Sequence, residues 1–279
     1  MVGFKSNQIH TVSASALPSA LRWLILTDNK ILQLPEELGN CNKLQKLMLS
    51  GNCLSNLPLS LSNCSNLELI RFASNQLVEF PKQLLKLPRL AWLAFADNPF
   101  CLPIMQNNLA PSPIQRLSWQ NVRLGVLLGQ GASGSIYEAL IETELEGGGA
   151  SMALKVFKGT MTSDGQPQSE IDATLLAGSH DHLIKVSGQI DDHPEGLPVL
   201  VMEKLSADFS ALAHPPSLET CTRDVYADNL KFNFAQALKI LRAVATTVAH
   251  LHQKSILHGD LYAHNILINN FYNPQIRQG

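Results

Sequence analysis

Apolar positions along the first hundred residues recur in register. Leu24, Leu47, Ile70 and Leu93 share one position, and Leu26, Leu49, Phe72 and Phe95 share the next but one. Asn29, Asn52, Asn75 and Asn98 follow at a constant spacing of 23 residues, with Pro35, Pro58 and Pro81 behind them. This period predicts stacked units, each with a short strand whose Leu pair points inward. The Asn amide is expected to satisfy backbone groups at the turn between units. Cys41 and Cys64 occupy equivalent slots and read as small buried packing residues. "FKSNQIHTV" repeats the pattern once more, with Phe4, Asn7 and Ile9 lying 22 residues before Leu26, Asn29 and Ile31. The chain therefore opens inside a repeat with no polar cap ahead of it, and a shortened N-terminus is the expectation.

After Pro99 the period fails. Residues 101–118 are rich in Pro and Asn and read as an end cap and linker. From Trp119 the pattern changes to a strand period, with Val122, Leu124, Val126 and Leu128 alternating. Gly129, Gly131 and Gly134 follow, and then the strand formers of "SIYEAL", so the glycines fall at a β-hairpin tip. "SMALKVFKG" sets Lys155 in an apolar strand, where a charge needs a partner. The turn "ELEGGGA" separates these two strands. "SEIDATLLAG" predicts a helix with Ser169 as N-cap and Glu170 or Asp172 as the acid facing Lys155. "LIKVSGQI" and "LPVLVMEKL" read as strands. The segment from Phe232 to Ser255 predicts a long amphipathic helix with Ala237, Ile240, Leu241, Val244 and Val248 on one side.

Bulk properties narrow the possibilities. A formal charge of −2 over 279 residues gives no global pull toward nucleic acid or anionic membrane. No apolar run has the length of a membrane span, and the N-terminus has no signal-peptide core. Five cysteines without a disulfide pattern lead us to expect a reducing compartment, the cytoplasm.

The order of elements in the second half ends at "HGDLYAHN", His258 to Asn265. Glycine loop, strand lysine, acidic helix, strand pair, helix and H-x-D-x-x-x-x-N together resemble a protein kinase. The first half, with L-x-x-L-x-L-x-x-N-x-L and "LPxxL", resembles the leucine-rich repeat in its 23-residue form. The implied architecture is an α/β solenoid over residues 1–100, a linker at 101–118 and an α+β kinase-like domain over 119–279, comprising an N-lobe and the start of a C-lobe. The implied function is ATP-dependent phosphorylation of protein, Ser/Thr-directed, with the concave face of the repeats binding a protein partner. Phosphoryl transfer needs a carboxylate to take the hydroxyl proton and ligands for magnesium on ATP. The resemblance assigns the carboxylate to Asp260 and a Mg2+ ligand to Asn265. It assigns phosphate contact to Gly129, Gly131, Gly134 and Lys155, with Ile136 beside them and Glu170 pairing Lys155. Met202 resembles the residue at the back of the adenine pocket, and Glu203 and Leu205 the hinge.

Three positions depart from the family pattern. Gly259 stands where an Arg usually precedes the Asp, which argues against control by a phosphorylated activation loop. Tyr262 stands where Ser/Thr kinases carry Lys. Arg277-Gln278-Gly279 stands where an Asp-Phe-Gly is expected, so the kinase domain reads as truncated before that motif. A competing reading follows: a catalytically deficient, pseudokinase-like scaffold acting through protein–protein contact. His250, His252, His258 and His264 cluster in sequence without an acid or Cys at ligand spacing, and read as structural or surface residues.

Overall fold

The computed structural model describes residues 1–101, 114–131, 133–142, 149–159, 165–217 and 219–277. Residues 144–148 of the "ELEGGGA" turn, most of the 101–118 linker, Ala132 and the Gln278-Gly279 dipeptide lie outside them. The chain forms two compact units. One is Met1–Asn107 with Met161–Ser169 and Ser217–Arg223; the other is Asn108–Thr160 with Glu170–Pro216 and Asp224–Gly279.

In the first unit five short strands form one parallel sheet in sequence order: β1 (Val2–Gly3), β2 (Trp23–Ile25), β3 (Lys46–Met48), β4 (Leu69–Arg71) and β5 (Trp92–Ala94). The register pairs Leu24 with Leu47, Leu47 with Ile70 and Ile70 with Leu93, the positions that recur in the sequence. The N-terminal residues join the same ladder: Val2 pairs with Leu24, and Phe4 N, the first residue of "FKSNQIHTV", donates to Ile25 O at 2.8 Å. Leu24, Leu47 and Ile70 belong to one continuous core with Leu26, Leu49 and Phe72, and Cys41 and Cys64 lie within it. Pro35, Pro58 and Pro81 immediately precede 3-10 helical turns, where a fixed φ favours the bend.

The asparagines bind the units together. Asn52 Nδ2 donates to Leu49 O (2.8 Å) in its own unit and to Leu26 O (2.9 Å) in the preceding one. Its Oδ1 accepts from Ile31 N at 3.1 Å. Asn75 and Asn98 repeat the arrangement one unit further on each time. Only an amide has both the donors and the acceptor that this turn requires.

Side chains on the opposite face of the sheet point outward. Lys46 Nζ lies 4.4 Å from the Trp23 ring centroid, and the Arg71 guanidinium 4.7 Å from that of Trp92. Trp23 is half-buried, but Trp92 is only 7% exposed, so it is not an open binding anchor.

The second unit is built on a six-stranded sheet of order β6-β10-β11-β9-β8-β7, comprising β6 (Gln115–Leu117), β7 (Val122–Gln130), β8 (Gly134–Glu142), β9 (Gly149–Phe157), β10 (Val186–Ile190) and β11 (Val199–Glu203). Composition reads residues 115–117 as linker, yet they form the edge strand β6, parallel to β10. Its first two residues, Gln115 and Arg116, are exposed and polar, so no apolar alternation marks it. At the other edge, β7 breaks register between Leu124 and Leu127, leaving Leu124, Val126 and Leu128 exposed despite their strand period.

Helix α1 (Pro167–Ala177) starts three residues earlier than an N-cap at Ser169 implied. Ser169 lies in its first turn and donates its hydroxyl to Asp97, whose carboxylate also accepts Gln166 N at 2.8 Å. Helix α2 (Phe234–Gln253) begins with a capping box between Asn233 and Gln236. Its buried stripe is Ile240, Ala243, Thr247 and Leu251; Leu241, expected inside, is 64% exposed. Below α2 lies a three-stranded sheet of β12 (Ser210–Ala211), β13 (Ile266–Ile268) and β14 (Pro274–Ile276), packed through Leu251, Ile266 and Ile276.

Candidate active site

The polar loop after α2 is held by its own backbone geometry. Gly259 has φ +72, the left-handed region that glycine enters without strain, which is a local reason for glycine before Asp260. A 3-10 turn over Ala263–Asn265 then leads into β13. Asn265 Nδ2 donates to both Asp260 O (2.9 Å) and Asp260 Oδ2 (2.8 Å). The five-residue spacing thus closes a ring in which the amide aims the carboxylate. The commitment of Nδ2 leaves Asn265 Oδ1 as the amide atom suited to a cation.

His258 supports the loop from behind. A backbone carbonyl only accepts and a backbone N–H only donates, so its neighbours determine the tautomer. Nε2–H donates to Arg277 O at 2.7 Å, and Nδ1 accepts from Asp260 N at 3.4 Å. Both nitrogens are used by the neutral ring, and burial pushes its proton affinity below the usual histidine value. Arg277 N in turn donates to Asn265 O at 2.9 Å, tying the residue after β14 to the loop.

Asp224 was not anticipated from sequence. Its carboxylate accepts from His264 N (3.2 Å) and meets His264 Nδ1 at 2.6 Å, gripping the residue next to Asn265. Forty positions separate Asp224 from His264, and no spacing rule signals such a pair. His180, His182 and His250 also meet, with ring centroids 5.8 and 5.1 Å apart in successive pairs. Among the described residues no group of His, Cys, Asp or Glu has the arrangement to hold a metal ion by itself.

In the sheet of the same unit, Lys155 on β9 forms an ion pair with Glu170 on α1, both side chains largely buried. Of the two acids considered, Glu170 is the one that meets the lysine. A small cluster of Phe157, Ile171 and Leu200, with Leu175 and Met202 packed on it, seats the helix against the sheet. Met202 lies near the end of β11, opposite Ala153, and Glu203 N donates to Lys185 O at 2.8 Å. Leu205 follows the strand end, half-buried.

The glycines have different local reasons. A Cβ at Gly134 would lie 2.5 Å from Val156 O, so the neighbouring strand excludes a side chain there. At Gly129 and Gly131 an added Cβ meets nothing within 4 Å. Those two positions leave open space over the hairpin end, where Gly131 N bonds Gly134 O at 2.9 Å. Ile136, next on β8, pairs with both Gly129 and Lys155, linking the hairpin to the lysine strand.

The paired lysine and glutamate, the open hairpin and the asparagine-braced aspartate all belong to one unit. Residues 122–277 match the family model described as protein tyrosine and serine/threonine kinase. The chain is also 23% identical over 180 residues to fibroblast growth factor receptor 1 of Pleurodeles waltl, an alignment covering 61% of this chain and 22% of that receptor. The chain thus spans well under a third of that relative's length. The family match extends over more than half of the chain and contains every residue of the site described above, so the chain belongs to the protein tyrosine and serine/threonine kinase family.

Proposed function

We propose that this protein is an ATP-dependent protein kinase, directed at serine and threonine hydroxyls, whose N-terminal unit is a leucine-rich-repeat solenoid that binds a protein partner on its concave face. The observation that carries the catalytic half is the pair of braces within one unit: Lys155 with Glu170, and Asp260 with Asn265. The open space at Gly129 and Gly131 and the oxygen donors near Asp260 fit ATP and Mg2+. Lys155, oriented by Glu170, would contact the nucleotide phosphates, and Gly129, Gly131 and Gly134 would lie over them. Met202, Glu203 and Leu205 would border the base. Magnesium supplies charge neutralisation of the transferring phosphoryl group. Asn265 Oδ1 would hold it, while Asp260 accepts the proton of the attacking hydroxyl as the oxygen bonds phosphorus and ADP leaves. Five free cysteines support a reducing compartment, the cytoplasm, as its location.

A second reading, a scaffold that acts by binding alone, is favoured by Arg277, a cation in the stretch where an acidic metal ligand was expected. ATP turnover with and without magnesium separates the two. Transfer to a Ser/Thr peptide mixture, lost in Asp260→Asn, supports the kinase reading. No magnesium-dependent transfer alongside intact nucleotide binding refutes it in favour of the scaffold.

A further inference from the structure

The first unit contains a short stretch from much later in the chain, Ser217–Arg223. Its described residues, Ser217 and Glu219–Arg223, are joined by local hydrogen bonds. Cys221 N donates to Ser217 O (3.0 Å), Ser217 N donates to Thr220 Oγ1 (2.9 Å) and Ser217 Oγ accepts from Thr220 N (3.2 Å). Cys221 adopts φ +63, a conformation that non-glycine residues hold only where their surroundings impose it. The side chains of this turn that are buried are those facing the repeats: Cys221 is 2% exposed and Thr222 is 5%.

The receiving surface repeats at the period of the strands. Arg22 Nε donates to Gln45 Oε1 at 2.7 Å, and Gln45 Nε2 donates to Glu68 Oε1 at 3.3 Å. The other oxygen of Glu68 accepts the Thr222 hydroxyl, a charge-assisted bond at the end of this ladder. The Trp23 side chain is hydrogen-bonded to the Cys221 sulfur, with Lys46 and Arg22 close enough to act on it electrostatically. Burial pushes the Cys221 thiol up, and Lys46 pulls the other way.

We propose that the outward strand face of the repeats is a docking surface for a hydroxyl-bearing peptide turn of a protein partner, and that Ser217–Arg223 occupies it as an intramolecular stand-in which the partner displaces. A tethered segment acts at an effective concentration of roughly millimolar, so a few weak contacts keep it seated. A partner that offers the same turn with further contacts to the ladder replaces it. This rests on the protein-binding reading of the repeat unit and names the chemistry that the surface recognises: an O–H donor for Glu68 beside a small polarisable group against Trp23.

The test is alkylation of the full chain by iodoacetamide, followed cysteine by cysteine with peptide mass spectrometry. Cys41 and Cys64, deep in the repeat core, report on the fold. In the unaltered chain Cys221 should react slowly. Thr222→Val or Glu68→Gln should speed Cys221 alone by about tenfold to a hundredfold, the range expected for one lost hydrogen bond to a charged group. A synthetic peptide of Ser217–Arg223 carrying Cys221→Ser, added at millimolar concentration, should speed Cys221 in the unaltered chain by competing for the face. Variants that react faster while the peptide has no effect overturn the proposal, because the contact is then a fixed part of the fold; the partner-binding reading would survive on other surfaces. If a variant opens the core, so that Cys41 and Cys64 react in step, the peptide arm on the unaltered chain decides. Failure to capture any partner, or to observe phosphoryl transfer, would count against the proposed function and leave these labelling rates unchanged.

Discussion

Asn75 offers a sharp test of how the repeats are held, because alanine and aspartate should fail there for different reasons. Its Oδ1 accepts from Leu54 N at 3.0 Å, and its Nδ2 donates to Leu49 O, Phe72 O and Ala73 O. In Asn75→Ala the three carbonyls keep other donors: Asn52 on Leu49 O, Asn98 on Phe72 O and Gly51 N on Ala73 O. Only Leu54 N–H is left buried without its acceptor, a cost of about 1–3 kcal/mol. Asn75→Asp preserves that acceptor yet replaces an NH2 with an oxygen aimed at carbonyl oxygens. A buried carboxylate without a cation should cost more than about 3 kcal/mol at neutral pH. Its folded-state pKa would be raised, so the aspartate variant should regain stability as pH falls and the acid protonates. Hydrogen exchange of the peptide containing the Leu54 amide measures this locally, which suits a chain of two units. If aspartate proves no more damaging than alanine at pH 7, or gains nothing on acidification, the donor-sharing argument is wrong.

Leu47, fully buried, should cost about 2–5 kcal/mol when changed to Ala, read from urea unfolding of the repeat unit; below about 0.5 kcal/mol the units do not share one core. Lys155→Met should abolish nucleotide affinity measured by calorimetry, and Glu170→Gln should weaken it by misplacing the lysine; an unchanged dissociation constant in Lys155→Met would show that the nucleotide binds elsewhere. His180 has its proton affinity lowered by burial and then by His250 and His182, and His258 by burial. The unfolded chain then takes up protons that the folded chain refuses. Stability of the second unit should be full above about pH 6.5 and decline as pH falls below it, a slope that His180→Gln should reduce in thermal unfolding.

Much of the architecture is legible in the residue pattern because it follows from local or periodic chemistry. The 23-residue period specifies parallel register, since identical units stack only with like positions adjacent, and the Asn ladder needs an amide at that place in every turn. Strand, hairpin and helix order in the second half follow from alternation and glycine placement. Asp260 and Asn265 stand out within one short motif, while the hydrogen bond that joins them is a feature of the folded loop. Other features depend on chain segments that meet only after folding. Strand β6 joins a sheet through backbone pairing that its polar residues do not advertise. Leu241 faces outward because the neighbours of α2 select the stripe through Ala243 and Thr247. Trp92 is buried by packing that its own repeat does not specify. Asp224 reaches His264 across forty residues, and Thr222 reaches Glu68 across 154. Those pairings carry no sequence signal because hydrogen-bond geometry depends on proximity in space, and the distance along the chain between their partners is arbitrary.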